Sequence, residues 1–172
     1  MVFIGMISTS FAQKYVSEAS NVKFFSTTPV EDIEAINKDS KSVIDLGTGN
    51  LVFSIPIIGF RFDNSLMEEH FNENYMDTEK YPKSTFKGKI ENFELFEGEK
   101  TVTATGELTI HGQTNTISVE GKMNITEGKI VVDAQFPIAL TDYKIKIPKV
   151  VFYNIAEVVE TTVHFEYLPH TK

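Results

Sequence analysis

A two-residue rhythm constrains this chain more than any other feature. Across residues 101–110, Val102, Ala104, Gly106, Leu108 and Ile110 fall on one side. Thr101, Thr103, Thr105, Glu107 and Thr109 fall on the other. Alternation of this kind marks a β-strand with one buried and one solvated face. The next run repeats it, with Ile117, Val119, Gly121, Met123 and Ile125 set against Ser118, Glu120, Lys122 and Asn124. The run after that aligns Ile130, Val132, Ala134, Phe136, Ile138 and Leu140. The last aligns Val159, Thr161, Val163, Phe165 and Tyr167 against Glu160, Thr162, His164 and Glu166. Glu127-Gly128 and His111-Gly112-Gln113 read as hairpin turns.

Earlier strands are less regular, near 15–19, 22–28, 33–37, 42–46, 50–58 and 85–92. Leu51, Phe53, Ile55 and Ile57 share a face, and Pro56, with no amide donor, predicts an edge or a bulge beside them. One short helix is predicted over 65–74, opened by Ser65 with Glu69 nearby and carrying Leu66, Met67, His70 and Phe71 as its apolar stripe. The fold class is therefore all-β. Eight or slightly more antiparallel strands, each with one apolar face, bury those faces together in a closed barrel. A two-sheet sandwich does it almost as well. The 172 residues suit a single domain.

Several inward positions are small: Gly88, Ala104, Gly106, Gly121 and Ala134. Small residues in mid-strand mark either strong bends or space left for a ligand, and both readings stay open. The inward set contains no Asp, Glu, Lys or His. A guest in such an interior is expected to be a neutral hydrocarbon, because a buried polar group without a partner is costly. Each buried methylene contributes about 0.8 kcal/mol, so one isoprene unit contributes roughly 3–4 kcal/mol before the costs of association.

Composition serves mainly to exclude. Sixteen basic against 24 acidic residues give a net charge of −8, which argues against a nucleic-acid partner. There is no Cys, hence no disulfide and no thiolate chemistry, and no apolar run long enough for a transmembrane helix. No metal-ligand spacing, catalytic triad, P-loop or dinucleotide fingerprint is present. Glu31-Asp32 and Glu68-Glu69 are adjacent pairs whose side chains diverge, so they do not form a glycosidase couple. Met1–Ala12, closing on Ser10-Phe11-Ala12, reads as a signal peptide that lacks a basic start, with residues 13–172 as the mature barrel.

Two motifs carry a family resemblance. The first runs Phe60-Arg61-Phe62, the helix Leu66-Met67-Glu68-Glu69-His70-Phe71, Asn74-Tyr75-Met76-Asp77, Lys80-Tyr81-Pro82 and Thr85-Phe86-Lys87-Gly88. The second is Gly106-Glu107-Leu108-Thr109-Ile110-His111-Gly112. Together they resemble the central signature and the hairpin strand of the YceI-like family, over about residues 14–168. The N-terminal third departs from the family pattern, with Val30 to Asn37 in place of a Gly-rich second strand. The resemblance implies a lipocalin-like barrel, exported to the periplasm or secreted. It also implies that the barrel holds a long polyisoprenoid-type lipid, such as a polyprenyl quinone, for transport, storage or sequestration. It implies no enzyme, no metal and no cofactor beyond the lipid, and it is compatible with a homodimer.

Strand parity and these motifs give the candidate site. The expected lumen lining is Phe24, Phe53, Ile55, Phe86, Ala104, Gly106, Leu108, Val119, Gly121, Met123, Ala134, Phe136, Val163, Phe165 and Tyr167. Arg61, His70, Phe71 and His111 are the candidates for the head group and entrance. For Arg61 the competing reading is a solvated strand-end cation paired with a carboxylate. For His70 it is a half-buried helix residue, and for the aromatic residues it is ordinary core packing. Two rival functions follow from the same residues. One is a protein-interaction module with a filled core. The other is a lipid hydrolase or isomerase, which needs Tyr167 or Thr161 beside a His or a carboxylate.

Overall fold

The computed structural model describes residues 14–147 and 155–170, so Met1–Ala12 lies outside the described residues. Its ten strands are β1 (Lys14–Thr27), β2 (Asp32–Asn37), β3 (Lys41–Asp45), β4 (Asn50–Pro56), β5 (Phe60–Phe62), β6 (Lys83–Ile90), β7 (Gly98–Ile110), β8 (Gln113–Thr126), β9 (Lys129–Ala139) and β10 (Val158–Pro169). One helix, α1 (Ser65–His70), continues into a wide turn over Phe71–Tyr75.

The neighbour order is β10-β9-β8-β7-β6-β4-β3-β1, and β1 pairs back onto β10. All the pairings are antiparallel, so eight strands close into a barrel with no sandwich edge. The other two strands are appended. β2 runs along the later half of β1, whose first residues belong to β3, and β5 pairs with β2. Asn37 secures this annex from a fully buried position. Its Nδ2 donates to the Pro56 carbonyl at 2.7 Å, and its Oδ1 accepts from the Asp39 amide at 2.8 Å.

Three local differences from the sequence reading matter for the site. The runs expected at 15–19 and 22–28 form one long β1, with the extra residue of a bulge between Ser17 and Ala19. Pro56 is the last residue of β4, and the chain then makes a tight 3-10 turn over Ile57–Gly59. That turn resets the parity, so Phe60 and Phe62 face inward and Arg61 outward. The helix is capped by Asn64 instead of Ser65, its side chain accepting from the Leu66 and Met67 amides.

The small inward residues divide between the two readings. Gly88 and Gly106 are cross-strand partners. A Cβ on Gly106 would overlap the Lys87 carbonyl and the Gly88 backbone, so close strand approach requires glycine there. Ala104 and Ala134 border open space inside the barrel, and Gly121 answers to both readings: it borders the same space, and a Cβ there would press on the Asp133 carbonyl. The β7–β8 hairpin turns on His111 and Gly112, both in the left-handed region, at φ 49° and 70°.

Candidate functional site

The two ends of the barrel are built differently. At the end carrying Tyr15, the Asp45–Asn50 turn and the Thr126–Lys129 hairpin, Tyr167 fills the interior with no exposed surface. Its hydroxyl reaches past β1 and donates to Ser42 Oγ on β3 at 2.8 Å, while the Ser42 amide donates to Ser17 Oγ, also at 2.8 Å. Burial pushes the Tyr167 phenol well above its ordinary range, and the bond to Ser42 offsets this only partly. Phe165 lies over Tyr167 with ring centroids 6.1 Å apart, and Phe53 meets Phe165 edge-on at 4.9 Å.

At the other end, α1 and its following turn lie across the barrel. Phe71 stacks on Phe24 at 5.4 Å and contacts Phe60 at 5.6 Å and Phe62 at 5.1 Å. These four rings come from β1, β5 and the helical segment, and they tie the annex to the barrel.

Between these ends runs a cavity of about 250 Å³. Its walls come from nearly every strand, from Ile44 and Ile90 near Tyr167 to Met67, Ile145 and Ile155 at the helix end. The lining holds no Asp, Glu, Lys, Arg or His among the described residues. Its polar members are Ser26, Ser84, Thr161 and Tyr75. Ser26 Oγ accepts from the Ala156 amide at 2.9 Å. Thr161 Oγ1 is buried without a hydrogen-bond partner. Burial raises the Tyr75 phenol above its usual range, so it is neutral at physiological pH.

Most of the predicted lining surrounds this cavity: Phe24, Phe53, Ile55, Phe86, Ala104, Leu108, Val119, Gly121, Met123, Ala134, Phe136, Val163 and Phe165. Gly106 does not, because it sits in the tight Gly88–Gly106 crossing. Tyr167 does not either, because it lies beyond Phe165 as the plug of that end.

The predicted entrance set comes apart. Phe71 borders the cavity. Arg61 is turned outward by the Ile57–Gly59 turn; its guanidinium donates to the Ile58 carbonyl at 3.0 Å and pairs with Glu68 at 2.9 Å. His70 is exposed on the solvent side of α1, because Met67 and Phe71, one turn apart, take the inward face. Leu66 is exposed with it. His111 holds a corner: Nδ1 lies 3.2 Å from the Tyr143 carbonyl, and its ring meets Tyr81 at 4.7 Å.

Sequence reasoning missed Phe60, Phe62, Met67, Tyr75 and Met76 as lining residues. The Phe-x-Phe spacing was the available signal for the first two. Met67 lies within α1, on the apolar stripe already read there, while Tyr75 and Met76 lie at the end of the wider turn, where a 3.6-residue period no longer assigns faces.

Residues 14–167 match the YceI-like domain. The chain belongs to the YceI-like family. Among solved structures it is similar to a polyisoprenoid binding domain from Saccharophagus degradans implicated in plant cell wall breakdown. The TM-score is 0.79 at 15% identity, covering 93% of this chain and 99% of that one. It is also similar to BcnA of Burkholderia cenocepacia, with a TM-score of 0.72, 19% identity, and 86% and 95% of the two chains covered. The Campylobacter jejuni YCEI protein gives 0.62 at 16% identity, with 99% and 92% covered. No curated protein matches the sequence. At these identities the likeness shows the shared barrel and nothing finer.

Proposed function

We propose that this YceI-like barrel holds a long apolar ligand of the polyisoprenoid type in its lumen, as an exported carrier, store or scavenger of lipid. The observation that carries the reading is the apolar, uncharged cavity that runs from Phe165 to the Phe24–Phe71 cluster. A lipid tail gains stabilisation from every methylene buried against such a wall, whereas an ionic ligand finds no counter-charge among the described lining residues. The polyisoprenoid-binding neighbour supports the same ligand class. Export rests on the signal-like character of Met1–Ala12.

Binding fits better than catalysis. The Tyr167 hydroxyl is committed to Ser42, and Thr161 has neither a His nor a carboxylate as hydrogen-bond partner, so the residues a lipid hydrolase needs are not brought together. A protein-interaction module with a filled core fits less well than a carrier, because the core is not filled.

Native mass spectrometry on protein purified without detergent tests the reading. A co-purifying lipid, or uptake of a polyprenyl quinone after delipidation, is the expected result. An empty barrel that takes up no such lipid overturns it.

A further inference from the structure

Thr161 is out of keeping with its surroundings. It lines the lumen on β10, between its cross-strand partners Phe24 on β1 and Phe136 on β9. It is only 7% exposed, and its hydroxyl lacks any hydrogen-bond partner, the one such buried side-chain atom among the described residues. Leaving a buried hydroxyl unpaired is destabilising. Valine has nearly the same shape and would remove that cost. In threonine, one staggered step about χ1 carries the hydroxyl to the position the methyl held, with the methyl taking the hydrogen's place, so the hydroxyl can be presented to a guest without moving the strand.

A second observation concerns charge. The described segments at the helix end (27–32, 56–83, 110–113, 140–147 and 155–158) carry ten Asp or Glu against five Lys or Arg. Arg61 is already paired with Glu68. A phosphate or carboxylate head would therefore meet net negative charge on these segments and no cation among the described lining residues.

Building on the lipid reading above, we infer that the lumen selects an uncharged amphiphile and takes its hydroxyl or carbonyl oxygen inside the barrel, at Thr161. The head then lies level with the Phe24 ring and beneath the Phe60–Phe62–Phe71 cluster, and the tail points toward Phe165. The cluster shields the single polar contact from water, which preserves its strength. Arg61 and His70 take no part in holding the head.

The test uses three probes of equal chain length: the six-unit polyprenol, its phosphate and the hydrocarbon squalene. Each is titrated into delipidated full-length protein, into Thr161→Val and into Thr161→Ser. The wild type is expected to bind the alcohol about three- to ten-fold more tightly than squalene, the range one net hydrogen bond gives. It is expected to bind the phosphate at least about ten-fold more weakly than the alcohol. In Thr161→Val the preference for the alcohol over squalene disappears, and Thr161→Ser retains it. Equal affinity for alcohol and squalene in the wild type overturns the inference, as does a preference that survives in Thr161→Val or a phosphate that binds as well as the alcohol. In each of those cases the lipid reading stands. If none of the three probes binds the wild type, the lipid reading itself has failed. The wild-type comparison decides the matter even if a variant does not fold.

Discussion

At one end of the barrel Phe165 and Tyr167 have no exposed surface, and the Tyr167 hydroxyl is bonded to Ser42. At the other, Phe24, Phe62 and Phe71 stay half-buried around a cavity, and Thr161 keeps an unpaired hydroxyl. The same residue types on strands of the same alternation thus do two different things. Where Tyr167 is fully buried behind Phe165 and its hydroxyl is paired with Ser42, they stabilise the fold. Where space is left, they hold open a site at some cost to stability. Stability and binding thus weigh differently along the barrel axis, so mutations at the two ends should have separable effects.

The largest effect is expected from Phe165→Ala. It empties a fully buried site touching both Phe53 and Tyr167 and should lower unfolding free energy by about 3–5 kcal/mol in a denaturant titration. Phe71→Ala, at the open end, should cost less than half as much. Equal losses would break the comparison.

Gly106→Val comes next, at about 2–3 kcal/mol, because its side chain would press on the Lys87 carbonyl and the Gly88 backbone. Tyr167→Phe removes a paired hydroxyl and leaves Ser42 without its donor, for about 1–2 kcal/mol. The same variant tests a pH dependence. The folded-state pKa of Tyr167 is raised above its ordinary value of 10.0. Below pH 10 the phenol is neutral in both states and adds no slope. Above it the unfolded chain ionises first, so stability falls as pH rises, and Tyr167→Phe should show a shallower alkaline decline.

Ala104→Phe sharpens the contrast from the other side. Its ring would enter the cavity instead of a packed core, so thermal unfolding should move little while lipid uptake is lost. Arg61→Gln should have the smallest effect, within about 0.5 kcal/mol by the same titration and without change in ligand affinity, since an exposed ion pair is weak.

Much of the lining was legible in the sequence because a strand's two-residue period is rigid: once one inward residue of β7 or β10 is known, the rest of that face follows. It stopped being legible where the period breaks. The Ile57–Gly59 turn reversed the parity that pointed Arg61 inward. On α1 the apolar stripe was read too broadly: Met67 and Phe71 take the inward face and leave Leu66 and His70 to solvent. Gly106 and Gly121 read identically along the chain, and a Cβ on either would overlap the backbone of the neighbouring strand, yet only Gly121 also borders the lumen. The curvature and register of the surrounding strands decide which of the two faces open space.

The sequence by itself determined an all-β chain, the inward face of most strands and the uncharged character of the interior. These are local properties, set by alternation and by the cost of burying charge. Tertiary structure alone decided which inward residues meet and which leave room, that Tyr167 closes one end by reaching across β1 to Ser42, and that Thr161 finds no partner. Those outcomes depend on the register and closure of strands far apart in the chain, and no local pattern encodes the distance between them.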